Sequence, residues 1–430
     1  MTSIDIFAEF DFLPKEIIVG RLDYERIKGE ATYLFEYSKD FLRSFPGTIL
    51  SRDIGLYEGK QACSGQIFSF LGDVLPDRWG KALIDKRERI IAKVKNQLPR
   101  TFDDFDYMVR LDDETRMGAL RFYHNGKLIN AATYNKDVPI IADLKEIIYE
   151  SQAYERAILE NKTPEDTWIN NLWAHASSLG GARPKANVKD AGTLYIAKLP
   201  SVKDTYDVAL WEHFALTLAR KAGINAAETR LIKLPTSEHS ILLSKRFDRD
   251  GKHRIHYASS LTLTGLKDGD GQATNKGYLD IANSMISDAN VVEPMSNIRE
   301  LYRRIAFNIL IGNHDDHFRN HGFLLTEKGW TLSPAFDINP TNSMTQSLMI
   351  SENSNNSLLC DLLNASDSYL IERNEANDII EDVKEVVSNW REVAKTVGIS
   401  KTEQQRFAIR MDSLSRIQKP AHQNLKHKIS

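Results

Sequence analysis

Asn313-His-Asp-Asp-His-Phe-Arg-Asn320, followed by Ser333-Pro-Ala-Phe-Asp-Ile-Asn339, is the stretch that decides how this chain is read. Asp315 precedes Asn320 by five residues, and Asp337 follows Asn320 by seventeen. Phosphoryl transfer from ATP needs one carboxylate to receive the acceptor hydroxyl proton, and an Asn and a second Asp to hold Mg²⁺. Between the two runs, Gly322-Phe-Leu-Leu325, Glu327-Lys-Gly329 and Trp330-Thr-Leu332 read as a β-hairpin closed by a Gly turn. Such a hairpin carries the second run back toward the mouth of the cleft that the first occupies.

Working outward, the chain has 430 residues, enough for two or three domains with real cores. Its 42% hydrophobic and 27% charged content are ordinary for a soluble globular protein. A net charge of −3 supplies no global basic field for nucleic acid, and local patches stay open. Two cysteines, Cys63 and Cys360, are too few for a disulfide framework or a zinc site and fit a reducing cytosol. Met1-Thr-Ser-Ile-Asp-Ile-Phe lacks the basic flank of a signal peptide, and no run approaches the roughly 18 apolar residues that span a membrane. The expectation is a cytoplasmic protein with no membrane partner.

Three regions are expected: residues 1–125, a mixed α/β unit; 126–249, with a Gly loop, a strand ending in Lys, a helix and a strand; and 250–430, mostly helical. In the first, Glu16–Gly20, Ala31–Tyr37 and Gly118–Tyr123 read as strands, and Arg78–Lys95 as a helix of alternating charge. In the second, Thr193–Lys198 and Ser240–Phe247 read as strands. Asp207 is the expected N-cap and Gly223 the expected C-cap of the helix between them. In the third, Ile298, Leu301, Ile305 and Ile309 fall at helical spacing, and Ser400 with Glu403 forms a capping box.

Ser177-Ser-Leu-Gly-Gly-Ala-Arg-Pro-Lys185 is a loop whose small residues let backbone N–H groups approach phosphate oxygens, with Lys185 adding charge. Taken alone it is as well read as a plain turn. Lys198 ends an apolar strand thirteen residues later, where a Lys reaches nucleotide phosphates or snorkels to solvent. Glu212, one turn inside the next helix, either pairs with it or is a solvated face charge. Asp315 and Asp316 fit a polar turn after Ile311-Gly312, but that reading leaves Asn320 and the apolar setting of Asp337 unexplained. His314 and His317 suit a metal-dependent phosphohydrolase, yet no further His or Cys stands at usable spacing.

The runs SSLGGARPKA, YIAKLP, LSKRFDR, IGNHDDHFRNHGFLL and LSPAFDINP, in that order, resemble the HipA family of bacterial toxin kinases. Phe68–Asp77 and Met117–Phe122 extend the resemblance over nearly the full length. It implies an α+β, bilobal, protein-kinase-like fold, with a mixed α/β N-terminal lobe and an all-helical C-terminal lobe. It also implies serine/threonine protein phosphorylation with ATP and Mg²⁺. Carried over by position, Asp315 is the catalytic base, and Asn320 and Asp337 hold the metal. Lys198 is the ATP lysine, with Glu212 on the following helix. Gly180, Gly181, Ala182, Arg183 and Lys185 match the phosphate loop, and Lys245, Arg246 and Phe247 the strand that meets adenine. His317 lies in the nucleotide-contacting part of the catalytic loop. Ser178 matches a self-phosphorylation site, with Ser177 as its neighbouring rival. Asp316 stands where the family often has Gly.

The same resemblance implies a small helix-turn-helix antitoxin (HipB-like), operator DNA reached through that complex, and a protein substrate such as an aminoacyl-tRNA synthetase. The alternative is a catalytically degenerate kinase fold acting as antitoxin partner and DNA co-repressor. Lys198, Asp315, Asn320 and Asp337 are all present, which favours catalysis. A small-molecule or lipid kinase would use the same residues.

Overall fold

Alternation of apolar and polar residues near the N-terminus builds the first sheet. Its strands are β1 (Thr2–Ala8), β2 (Ile17–Ile27), β3 (Glu30–Tyr37), β4 (Gln61–Ser64), β5 (Leu120–His124) and β6 (Lys127–Leu128), in the order β4-β3-β2-β1-β5-β6. Ile4 stands opposite Leu22, and Leu22 opposite Phe35, so one face carries a continuous buried apolar row. The structure is a computed structural model and describes residues 1–130, 138–174, 183–235, 237–287 and 290–416.

The second sheet holds β7 (Lys185–Asp190), β8 (Thr193–Lys198), β9 (Thr229–Ile232) and β10 (Ile241–Lys245), in the order β7-β8-β10-β9. Thr193–Lys198 forms as expected. The Val208–Lys221 helix does too, with Asp207 accepting from the Leu210 N–H at 3.0 Å and Gly223 left-handed just past its end. Two residues each of β11 (Arg249–Asp250) and β12 (His253–Arg254) pair next.

A third sheet, β13 (His256–Ser259), β14 (Gly322–Thr326) and β15 (Gly329–Leu332), corrects the expectation that residues 250–430 are all-helical. The β14–β15 hairpin is the one read from the sequence. A lone hairpin is marginal in water, and β13 pairs with its free edge, from His256 opposite Leu325 to Ser259 opposite Gly322. All four β13 residues are buried, so no alternation marked them as strand. The Pro294–Ile311 helix packs on β15, and the Arg373–Ser388 and Lys401–Arg416 helices pack on that helix. Among the described residues no helix is long and apolar enough to cross a membrane.

One apolar core runs from Ile4 of β1 to Met411 of the last helix. A second cluster joins Trp79, Leu83 and Ile84 of the Arg78–Val94 helix to Leu144, Val188, Ala197 and Leu243. That helix packs against the Asp166–Ala174 helix and shares its core with the second sheet. A buried ionic junction completes the seam. Arg246 donates to Asp248 at 2.6 and 2.5 Å, to the Thr115 carbonyl at 2.9 Å and to Asn187 Oδ1 at 3.0 Å. Asp248 also accepts from the Gly118 N–H at 2.8 Å and Arg249 at 2.7 Å. Burial opposes its charge, and the two guanidiniums hold its pKa well below the usual carboxylate value.

Removing one member of a buried, hydrogen-bonded ion set leaves the others uncompensated, at about 3–5 kcal/mol. Asp248→Ala is therefore expected to move the first urea unfolding transition to lower denaturant by that order. A shift below about 1 kcal/mol, the scale of a surface pair, would show that the junction is not stabilising.

Candidate active site

Lys198 ends β8 and Glu212 lies in the first half of the Val208–Lys221 helix. Lys198 Nζ is 2.6 Å from Glu212 Oε1 and 2.6 Å from Asp337 Oδ1. Burial works against the lysine charge, but the two carboxylates outweigh it and hold its pKa above the ordinary lysine value. For Asp337, burial would raise the pKa, yet Lys198 holds it at about 2. Glu212 moves the other way, upward, because it is deeper and Asp337 repels its charge. Asp337 adopts a left-handed backbone (φ 56°), a conformation that Asp tolerates better than most residues and that recurs at functional sites.

The catalytic-loop candidate begins where the Pro294–Ile311 helix stops at left-handed Gly312. A Cβ there would lie 2.3 Å from the Thr341 carbonyl oxygen, so the turn requires glycine. Asn313 donates to Asn308 Oδ1 at 3.2 Å and accepts from the Asn339 N–H at 3.1 Å; Asn339 Nδ2 donates to Asp337 Oδ1 at 3.2 Å. Through these two asparagines the two sequence runs are tied together.

Asp315 is exposed and Asp316 is buried. Asp316 Oδ2 accepts from Tyr278 Oη at 2.6 Å and Asn308 Nδ2 at 2.7 Å, and lies 2.9 Å from His321 Nε2. Burial opposes its charge, but these groups, His321 foremost, leave its pKa below the usual value. The charge beside the catalytic base candidate is thus turned inward as an anchor, while Asp315 faces out. Asn320 Nδ2 donates to the Asp315 carbonyl at 3.0 Å, which turns its Oδ1 the opposite way.

These residues suit Mg²⁺, which takes oxygen ligands from one or two protein groups and the rest from phosphates and water. Asp337 stays ionised and Asn320 supplies an amide oxygen. Two buried polar atoms near Asp337, His317 Nδ1 and Asn339 Oδ1, have no hydrogen-bond partner within the described residues. Among the described residues no three His, Cys, Asp or Glu side chains gather to hold a metal by themselves. His314 is tied into the following loop, 2.5 Å from the Thr345 carbonyl.

Of the remaining expected residues, Lys185 stands opposite Lys198 on the neighbouring strand, beside the cluster, and the others disperse. Arg183 pairs with Asp204 at 2.5 Å, and Lys185 is buried against Asp77 at 2.8 Å. Lys245 is at the surface, 3.2 Å from Glu228. Arg246 points away from the Lys198 cluster into the buried junction described above. Phe247 packs against Phe336, next to Asp337, at 5.5 Å between ring centres. Ser177, Ser178, Gly180, Gly181 and Ala182 lie outside the described residues. Sequence reasoning missed the orienting roles of Asn313 and Asn339, although both stood in the quoted runs. It named Asp77 only as the end of a matching run and missed its pairing with Lys185, for which the distant position carried no local signal.

Because the folded pKa of Asp337 is below its unfolded value, its ionisation stabilises the fold above about pH 4, and that stability is lost as pH falls toward 2. Lys198→Met inverts this: two carboxylates share a site with no cation and their pKa values rise. The variant's deficit in Tm relative to wild type is expected to be larger at pH 7.5 than at pH 5. An equal deficit at both pH values would contradict the electrostatic role.

Comparison with known proteins agrees with this geometry. Residues 177–390 match the model of the HipA-like C-terminal domain. The serine/threonine-protein kinase toxin HipA of Shewanella oneidensis is 24% identical over 349 residues, covering 75% of this chain and 73% of that protein. The solved complex of Shewanella oneidensis HipA with HipB and its operator DNA contains a chain of the same fold. It has a TM-score of 0.68 and 18% identity, with 96% of both chains covered. The chain carries the HipA-like C-terminal domain over residues 177–390 and shares the HipA fold over nearly its whole length.

Proposed function

We propose that this protein is an ATP- and Mg²⁺-dependent serine/threonine protein kinase, the toxin of a toxin–antitoxin pair. The observation that carries the reading is Lys198 held between Glu212 and Asp337, with the Asp315–Asn320 loop tied to Asp337 through Asn313 and Asn339. Lys198 holds the nucleotide phosphates, and Glu212 fixes its direction. Asp315 orients the acceptor hydroxyl and takes its proton. Asn320 and Asp337 are the residues that hold Mg²⁺, which neutralises charge on the phosphates when bound. Phe247, beside Phe336, offers an apolar surface for adenine.

The toxin reading rests on the Shewanella oneidensis relative, named as a kinase toxin and solved with HipB and operator DNA. We extend it to a small helix-turn-helix antitoxin, to operator DNA through that complex, and to a cytoplasmic substrate such as an aminoacyl-tRNA synthetase. Ser178 is proposed as a self-phosphorylation site, since a phosphate of about −1.5 to −2 charge in a phosphate-binding loop competes with the nucleotide.

Asp315→Asn should lower phosphoryl transfer by roughly 10²–10⁴-fold while Mg²⁺·ATP still binds. Asp337→Ala should weaken Mg²⁺·ATP binding as well, because it removes a metal ligand. Calorimetric titration together with turnover separates the two. Wild-type turnover in the first variant, or unchanged affinity in the second, would overturn the assigned roles. Incubation of the wild-type protein with labelled ATP and a cell lysate should label a protein band; the non-catalytic co-repressor alternative predicts none. Mass spectrometry after incubation with Mg²⁺·ATP should find phosphate on Ser178. Phosphate on Ser177 alone, or on neither serine while a substrate is labelled, would remove self-regulation and leave the kinase.

A further inference from the structure

Lys185 and Lys198 stand directly opposite each other on β7 and β8. Opposed residues of an antiparallel pair share a face with Cβ atoms about 4.5–5.5 Å apart, and like charges there repel. Both side chains are mostly or fully shielded from solvent, so each needs a counter-ion. Lys198 has Glu212 and Asp337. Lys185 has Asp77, at 2.8 Å, with both side chains of that pair buried.

Asp77 comes from far upstream and does two things at once. Its Oδ1 accepts from the Gly80 N–H at 2.6 Å and caps the Arg78–Val94 helix, while its Oδ2 faces Lys185. The helix is itself fixed by Trp79, Leu83 and Ile84 in the core beneath the second sheet. The carboxylate is therefore held at the first residue of β7.

We propose that Asp77 is a positioning residue for the nucleotide site: by holding Lys185, it keeps a second ammonium off Glu212 and Asp337, so that Lys198 alone occupies them. This rests on the kinase reading for its consequence in catalysis, but not for its electrostatics. In this arrangement the segment before residue 125 supplies a part of the phosphate-binding apparatus that lies outside the residues matched by the family model.

The test is Asp77→Asn, because Asn caps helices as well as Asp does and removes only the charge. Lys185, opposite Lys198, then loses the Asp77 charge, and the pull of Asp337 and Glu212 on its ammonium is no longer opposed by that carboxylate. The expected result is about a tenfold or larger rise in KM for ATP, with kcat changed far less. The same substitution made in a Lys185→Met background should add nothing, since the competing ammonium is gone. Unchanged or lowered KM in Asp77→Asn, or an equal rise in the Lys185→Met background, would overturn the proposal.

A second measurement needs no nucleotide. Trace labelling with acetic anhydride, read peptide by peptide, should show Lys198 several-fold more reactive in Asp77→Asn than in wild type, and no more reactive in Asp77→Asn/Lys185→Met than in Lys185→Met. Equal Lys198 reactivity in wild type and Asp77→Asn also overturns the proposal. If wild type neither binds nor turns over ATP while the labelling behaves as stated, the kinase reading fails and the positioning role stands.

Discussion

The constraint on which the site depends is that one ammonium, Lys198, neutralises two carboxylates from different parts of the chain. Glu212 is fixed by a helix that packs on the second sheet, and Asp337 by a loop that follows the β14–β15 hairpin. Neither carboxylate is stable there without the cation, because burial of an unpaired charge costs far more than a surface pair returns. The ion cluster thus makes the sheet, the helix and the loop mutually dependent. It also leaves the site electrostatically prepared, with Asp337 ionised at any physiological pH.

Around that cluster the polar groups divide into those that hold the loop and those that face outward. Asp315 and Asp316 are chemically identical neighbours with opposite environments. Asp316 is sunk among Tyr278, Asn308 and His321, and Asp315 is exposed. The buried one fixes the backbone on which the exposed one is presented, and Asn320 closes the turn onto the Asp315 carbonyl. On the proposed kinase reading, positioning of this kind lowers the cost of orientation at the moment of reaction. The same division separates Lys198, at the site, from Arg246, which the chain uses to join residues 115–118 to the second sheet.

Much of this was legible in the sequence, because its signals are local. Asp315, Asn320 and Asp337 announce themselves by spacing, and the hairpin between them by a Gly turn between apolar runs. The Val208–Lys221 helix is marked by its cap and by an apolar face of period 3.6, and Lys198 by closing an apolar strand. These features depend on residues within a turn or two of each other, where propensity and hydrogen bonding act directly. The strand β13 (His256-Tyr-Ala-Ser259) escaped because all four residues are buried, polar His256 and Ser259 included, so neither alternation nor an apolar run betrays it.

Only the tertiary structure decided which charges meet. Asp77 lies 108 residues before Lys185 in the chain, and Asp337 lies 139 after Lys198, yet each pair is in ionic contact. No pattern of nearby residues encodes such a pairing, since it follows from how sheets and helices stack to bury their apolar faces. The sequence by itself determined the chemical kinds of group available and the elements that carry them. The packing of the core determined that Lys198 faces two carboxylates, that Arg246 is buried at a junction, and that Asp316 is an anchor while Asp315 is free to act. Burial and charge pairing are properties of the assembled molecule, and they separate residues that the chain writes side by side.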